Sequence, residues 1–350
     1  MMKTKNEKIL ISVLEKMKEV KGGIDEVCPI SIIDINSWEW AQGVGLYGIW
    51  KLYRTTQNKE HLEYLLNWFD RHIGKEKIEK NINTTAPMLT LIYLAEELGR
   101  DDYLQFCREW AEAVYKDFPR TEENGFQHIV SGEENYNQLW ADTLFMTVLF
   151  LAKAGMVFGR NEYLEDAEYQ FMLHIKYLHD SKTGLWYHGW SFNGRNNFAN
   201  ALWGRGNCWY TIGVVEFIEM VNPPKFLRDY LVAALVAQVE ALKEYQDEGG
   251  GWHTLIDDAD SYLEVSATAG FAAGILKGIK LGLLDNKYSS MAEKAVSFME
   301  QNIDTDGTVL NVSYGTGMGS TFEHYKEIPI CPMTYGQALA ILCLIERYMY

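Results

Sequence analysis

Apolar and amphipathic helical segments alternate along nearly the whole chain, and this alternation restricts the fold more than any other property of the sequence. Residues 7–20 place Ile9, Leu10, Val13, Leu14 and Met17 among lysines and glutamates, the pattern of a surface helix. Residues 40–54 are nearly all apolar or small, and 61–72 are amphipathic again. The order continues with 85–98 apolar, 101–118 amphipathic, 139–154 apolar, 163–178 amphipathic, 203–220 apolar, 226–245 amphipathic, 264–281 small and apolar, 288–302 amphipathic and 334–347 apolar. A helix that is apolar all round is buried, whereas one with a single apolar stripe lies half exposed. About twelve helices in outer, inner order predict six hairpins closed into an all-α double ring, an (α/α)6 barrel spanning 1–350 as one domain. A helical solenoid is the alternative. Solenoid repeats keep a nearly fixed period, however, and here the spacing between successive inner helices drifts upward along the chain.

The formal net charge of −16 opposes nucleic acid and anionic membranes as partners, so an anionic ligand would need a local basic group. Five cysteines (Cys28, Cys107, Cys208, Cys331, Cys343) are scattered with no CxxC pair, which points to reduced thiols and a cytoplasmic location. The apolar run 9–14 after the lysine-rich start ends at Glu15-Lys16, too short for a signal peptide, and no other uninterrupted run is long enough to span a membrane. There is no HExxH zinc helix, no phosphate-binding glycine motif and no GxSxG elbow, so neither metal nor cofactor is expected. Asp304-Thr-Asp-Gly307 starts like a calcium loop but lacks the later ligands and reads as a turn. Oligomeric state is left open.

In a closed ring of antiparallel hairpins, the six loops entering the inner helices lie at one end, so their chemistry converges. They are 34–40, 81–86, 128–137, 186–190 running on to 203–207, 249–264, and 314–335. Trp38, Trp40, Trp140, Trp186, Trp190, Trp203, Trp209 and Trp252 lie in or beside them. Aromatic faces with convergent polar groups suit a sugar, whose C–H faces stack while its hydroxyls hydrogen-bond; the alternative is that the tryptophans plug the ring end as core. Between Leu139 and Ala154 the only charged residues are Asp142 and Lys153. A carboxylate one turn into such a helix either complements the helix dipole or works as an acid in a desolvated pocket.

Four stretches carry a resemblance: Trp140-Ala-Asp-Thr-Leu-Phe-Met146, Trp186-Tyr-His-Gly-Trp190, Trp203-Gly-Arg-Gly-Asn-Cys-Trp209 and Glu264-Val-Ser-Ala-Thr-Ala-Gly270. In this order and register, from about Trp40 to Tyr335, they resemble the unsaturated rhamnogalacturonyl hydrolases of glycoside hydrolase family 105. The resemblance implies an (α/α)6 barrel and hydration of the C4=C5 double bond in a 4,5-unsaturated galacturonate at the non-reducing end of a pectin fragment. It makes Asp142, within the Trp140 motif, the catalytic acid/base, with burial lifting its pKa toward the working pH. Arg205, between two glycines, would hold the uronate carboxylate; an ion pair with an entry-loop acid is its structural alternative. His188 resembles a substrate-contacting histidine, and Trp209 and Trp203 match aromatic positions beside Arg205. Trp140, His128, Tyr47 and Trp40 are further expected at the pocket.

Two positions depart from the family's pattern. Cys208 stands where glycine is usual, of little consequence if its side chain points outward. Where many relatives carry a second pocket aspartate, the entry to the second inner helix reads Asn83-Thr-Thr-Ala-Pro87, with Asp34 and Glu39 as possible replacements. Two other readings stand beside the first: a hydrolase for unsaturated glucuronyl residues of glycosaminoglycan-type fragments, and a non-catalytic helical toroid that binds carbohydrate or protein.

Overall fold

Helices form where the apolar periodicity places them. In the computed structural model, which describes residues 5–19, 34–75 and 77–349, they are α1 (Lys5–Glu19), α2 (Trp40–Thr56), α3 (Lys59–His72), α4 (Ala86–Leu98), α5 (Asp101–Lys116), α6 (Leu149–Phe158), α7 (Asn161–Leu178), α8 (Gly204–Val221), α9 (Lys225–Tyr245), α10 (Val265–Lys280), α11 (Ser289–Gln301), a short α12 (Phe322–Lys326) and α13 (Thr334–Tyr348). The loop at Gly22-Gly23 and Cys28 lie outside the described residues.

The even-numbered helices α2 to α10 and the last helix, α13, make the inner ring. Each packs on the next, and α13 packs back on α2, which closes the ring; a solenoid would leave those two apart. The outer helices lean on them: α1 on α13, α3 on α2, α5 on α4 and α6, α7 on α6, α9 on α8 and α11 on α10. Burial follows the hydropathy. Every residue of α2 from Ala41 to Tyr53 is buried, whereas α3 buries only Leu65, Trp68, Phe69 and His72. The result is the expected (α/α)6 barrel.

The small residues of α10 have a packing reason. A Cβ on Gly274 would stand 2.6 Å from the Thr211 carbonyl oxygen of α8, and one on Gly270 would stand 2.7 Å from the Cys208 sulfur. Cys208 therefore does not point outward: it is fully buried and fills the space that Gly270 leaves. Cys107, Cys208 and Cys343 are free, but Cys331 is disulfide-bonded, which corrects the expectation of five reduced thiols and removes the ground it gave for a reducing compartment. Among the described residues, no helix is long and apolar enough to cross a membrane.

At the end where the inner helices finish, buried charges tie four of them together. Lys51 of α2 pairs with Glu216 of α8 and Glu346 of α13, both at 2.7 Å, and Lys277 of α10 pairs with Glu216 and Glu219 at 2.5 Å. They wall a cavity of about 700 Å³ together with Trp50 and Tyr93. Burial alone would raise the Glu216 carboxyl, but Lys277 and Lys51 outweigh it and hold it at about 2, below its ordinary 4.5. Such a depressed carboxyl adds stability that is present above pH 4.5 and is lost as the pH falls from there toward 2. A series of melting temperatures across that window should therefore fall more steeply for the native chain than for Glu216→Gln, which starts lower because it leaves two lysines under-paired. Parallel curves for the two would sink the assignment.

Candidate active site

Two short strands meet at the opposite end. β1 (Gln138–Trp140) pairs antiparallel with β2 (Gly189–Ser191), Trp140 opposite Gly189, and the Ala141 amide donates to the His188 carbonyl at 3.0 Å. A Cβ on Gly189 would stand 2.9 Å from the Leu139 carbonyl oxygen and closer still to Met318, so only glycine permits this approach. The pairing corrects the expectation of a helix from Leu139 onward. Asp142 sits in the turn after β1, and its carbonyl accepts from the amides of Phe145 at 3.1 Å and Met146 at 3.0 Å, opening a five-residue π-helix, Leu144–Val148, that leads into α6. Wide turns of this kind are rare and often occur at functional sites. Standing at the helix N-terminus, the Asp142 carboxylate also faces the positive end of the helix dipole.

A cavity of about 220 Å³ opens here, lined by Trp40, His128, Trp140, Asp142, Trp203 and Arg205 of the expected residues. His188 lies behind Asp142, 2% exposed, with Nε2 at 3.6 Å from Oδ2, too long for a hydrogen bond. Neither of those two atoms has another partner. His128 stacks on Trp140, ring centroids 4.2 Å apart, and its Nδ1 meets Thr143 Oγ1 at 2.9 Å.

Two expected residues are elsewhere. Tyr47 donates to Glu216 Oε2 at 2.7 Å and lines the far-end cavity. It follows Trp40 by seven residues, so it shares that residue's helix face but lies about 10 Å farther along the axis. Trp209 is fully buried and meets Trp40 edge to face at 5.9 Å, supporting that ring from beneath rather than touching the cavity.

Only three of the eight tryptophans line the cavity. Trp38, Trp186, Trp190 and Trp252 pack in aromatic clusters with Trp68, Tyr210, Tyr177 and Phe271, so for these four, as for Trp209, the core alternative holds. The entry to α10 contributes no lining residue either. Its Glu264 caps α10 through the amides of Ser266 and Ala267 and accepts from the Ser313 amide at 2.9 Å. That bond fixes the backbone that Arg205 grips.

Arg205 is 1% exposed. Its Nη1 donates to the Ser313 carbonyl at 3.1 Å and to the Ser313 hydroxyl, its Nη2 donates to the Tyr314 carbonyl at 2.9 Å, and its plane lies over Trp203 and Tyr335. No carboxylate among the described residues forms an ion pair with it, so the ion-pair alternative fails. A buried cation held by neutral groups at a cavity wall keeps a charge that no side chain neutralises.

The acids near the cavity are few. Asn83 lines it with an amide. Glu39 caps α2, accepting from the Trp40 amide at 2.9 Å, and burial pushes its carboxyl up; Asp34 accepts from the Asn36 amide at 2.8 Å; neither is among the residues that line the cavity. Glu133 stands exposed at the rim, which leaves Asp142, half-buried, as the inner carboxylate of the lining.

Burial pushes the Asp142 carboxyl up, but His188, His128 and Arg205 together bring it below the usual carboxylate range. Burial lowers both imidazoles, His128 to about 3, so at neutral pH they are uncharged and Arg205 supplies the full positive charge. The expected upward shift is therefore reversed by the neighbouring groups.

Sequence reasoning missed Tyr325. Its hydroxyl meets His188 Nδ1 at 2.8 Å and accepts from the Gly319 amide at 3.1 Å, so it ties the glycine-rich wall at Gly315 to Gly317 to the imidazole facing Asp142. If the hydroxyl donates to Nδ1 rather than to Met318 Sδ, the imidazole proton sits on Nε2 and faces Asp142. Its presence in the entry loop 314–335 was the only signal. Among the described residues, no cluster of three or more His, Cys, Asp or Glu side chains could hold a metal ion.

The model of the family described as Glycosyl Hydrolase Family 88 matches residues 15–350. The chain is 35% identical to the unsaturated rhamnogalacturonyl hydrolase YesR of Bacillus subtilis over 316 residues, 89% of each chain. It superimposes with a TM-score of 0.94 and 44% identity on a structure described as a possible member of the GH105 family from Klebsiella pneumoniae, covering 99% of this chain and 94% of that one. The unsaturated glucuronyl hydrolase of Bacillus sp. GL1, described as responsible for glycosaminoglycan degradation, is 16% identical with a TM-score of 0.74 over 97% of this chain and 94% of its own, and this likeness speaks to the fold alone.

Proposed function

The chain belongs to glycosyl hydrolase family 88, and from that membership and the chemistry of the Asp142 cavity we propose that it hydrolyses the 4,5-unsaturated galacturonyl residue at the non-reducing end of rhamnogalacturonan fragments, as a single catalytic domain. A glycoside hydrolase is thereby set apart from a non-catalytic toroid. The observation that carries the reading is one half-buried carboxylate and one buried, unpaired arginine in the same tryptophan-walled cavity. Likeness to a protein named an unsaturated rhamnogalacturonyl hydrolase, over most of both chains, favours the galacturonyl substrate over the glucuronyl one.

Ordinary glycosidases divide the work between two carboxyl groups. This cavity has Asn83 where a second acid would stand. A vinyl ether needs only one. Protonated Asp142 gives its proton to C4, and positive charge develops at C5 and the ring oxygen. A water then adds to C5 while the Asp142 carboxylate takes its proton, which restores the acid. The C5 hemiketal opens, and the hemiacetal left at C1 releases the neighbouring sugar. One water is consumed, and Asp142 ends as it began. Arg205 holds the uronate carboxylate, Trp40, Trp140 and Trp203 enclose the ring, and the His188 N–H steadies the Asp142 carboxylate between its two proton transfers.

The lowered Asp142 pKa fits this sequence once the substrate's charge is included. His188 contributes most to keeping Asp142 ionised and Arg205 the least; a uronate carboxylate on Arg205 cancels that residue's share, adds a like charge of its own and expels water, so binding raises the Asp142 pKa toward the working pH. The descending limb of kcat, which reports the complex, should therefore lie at higher pH than that of kcat/KM, which reports the free enzyme. Coincident limbs would contradict this.

Asp142→Asn should fold with an unchanged melting profile and lose at least about a hundredfold in kcat, the lower range for removing a general acid. The assay follows loss of the ultraviolet absorbance of the conjugated double bond with lyase-generated rhamnogalacturonan disaccharide. Consumption of a glycosaminoglycan disaccharide in its place would favour the glucuronyl reading, and full turnover by Asp142→Asn would remove the mechanism.

A further inference from the structure

Beside the Asp142 cavity lies a shallower groove of about 610 Å³. The two share Val130 and Glu133 as lining, so the groove runs outward from the cavity over the loop that enters α6. Tyr136 stands in it with 67% of its surface exposed. That exposure is imposed by its neighbours. Asn135 and Asn137 on either side take φ of 43° and 58°, a region that is costly for a residue with a side chain. Hydrogen bonds hold both. The Asn135 side chain donates to the His128 carbonyl at 2.9 Å. The Asn137 amide donates to Gln127 Oε1 at 2.9 Å, its Oδ1 accepts from the Glu122 amide at 3.1 Å, and its Nδ2 donates to Asn193 at 2.9 Å. A strained, pinned loop thus presents an aromatic face to water, next to the site where a sugar is cut.

The groove is also negative. Glu79, Glu133 and Glu134 line it with no basic partner among the described residues, and its one cation, Arg120, is engaged by Asp166 at 2.6 Å.

We infer that this groove is the subsite for the sugar on the leaving side of the scissile bond, that Tyr136 stacks on that sugar's ring, and that the three carboxylates select an uncharged sugar over a sulfated or carboxylated one. The inference rests on the reading of the Asp142 cavity as the uronate site. Stacking suits a ring with an exposed C–H face, and the free carboxylates accept from its hydroxyls, whereas a second anion would meet only like charge.

Steady-state rates on three substrates sharing the same unsaturated uronate test it: a methyl glycoside, a rhamnose-linked disaccharide and a sulfated hexosamine-linked disaccharide. Tyr136→Ala should lower the ratio of kcat/KM for the rhamnose disaccharide over the methyl glycoside by about tenfold, the upper range for one aromatic contact. The Glu133→Gln, Glu134→Gln double variant should raise kcat/KM for the sulfated substrate severalfold more than for the neutral one. The native preference for the neutral disaccharide should narrow as salt is added. A native enzyme that takes the sulfated disaccharide as readily as the neutral one, or a Tyr136→Ala variant with the native ratio, would overturn the groove assignment while leaving the uronate site intact. Turnover of none of the three by the native enzyme would instead bring down the uronate reading and the groove with it.

Discussion

Each inner helix of this barrel is hemmed in by two ring neighbours, an outer helix and the ring's centre, so a charged side chain on it can persist only near one of the ring's two ends. The two ends answer this constraint differently. Where the helices finish, Lys51, Glu216, Lys277 and Glu346 neutralise one another across four helices. Where they begin, Asp142 and Arg205 share a cavity without pairing: neutral groups hold Arg205, and Asp142 Oδ2 has no hydrogen-bond partner. Buried charges that satisfy each other have nothing left for a ligand, and charges left apart do.

Closing the ring demands close contact between helices as well as apolar surface. Gly274 brings the backbone of α10 against the Thr211 carbonyl, and Gly43 brings α2 within 2.6 Å, measured from its missing Cβ, of Ala86 at the start of α4. The Cys208 and Gly270 pair shows how a larger side chain on one helix is matched by a smaller one on the next. Added volume at these positions would push the ring apart, since a packed core absorbs an extra methyl only by shifting.

The helices were legible because an all-round apolar segment and a striped one differ within any window of a few turns. Elements that depend on distant partners escaped. Leu139 and Trp140 read as the start of an apolar helix, since a strand that pairs with residues about fifty positions away leaves no local mark. Trp40, Trp140, Trp203 and Arg205 were found because each begins an inner helix or stands just before one. Tyr47 misled because helical periodicity reports the face and not the depth. Tyr325 was hidden because its role is fixed by a single contact with His188, 137 positions earlier in the chain.

The cavity is assembled from five of the six entry loops, and the cross-helix ion pairs sit at the other end of the same helices. Folding security and substrate choice are therefore stored in different places. A substitution in the walls at Ser131, Glu133 or Gly315 to Gly317 alters the cavity's lining without touching the bonds that keep the ring shut, and on the proposed reading it would change what the enzyme recognises. One at Lys51 or Glu216 does the reverse. A chain built this way can exchange one sugar for another through its loops alone, with the barrel beneath unaltered.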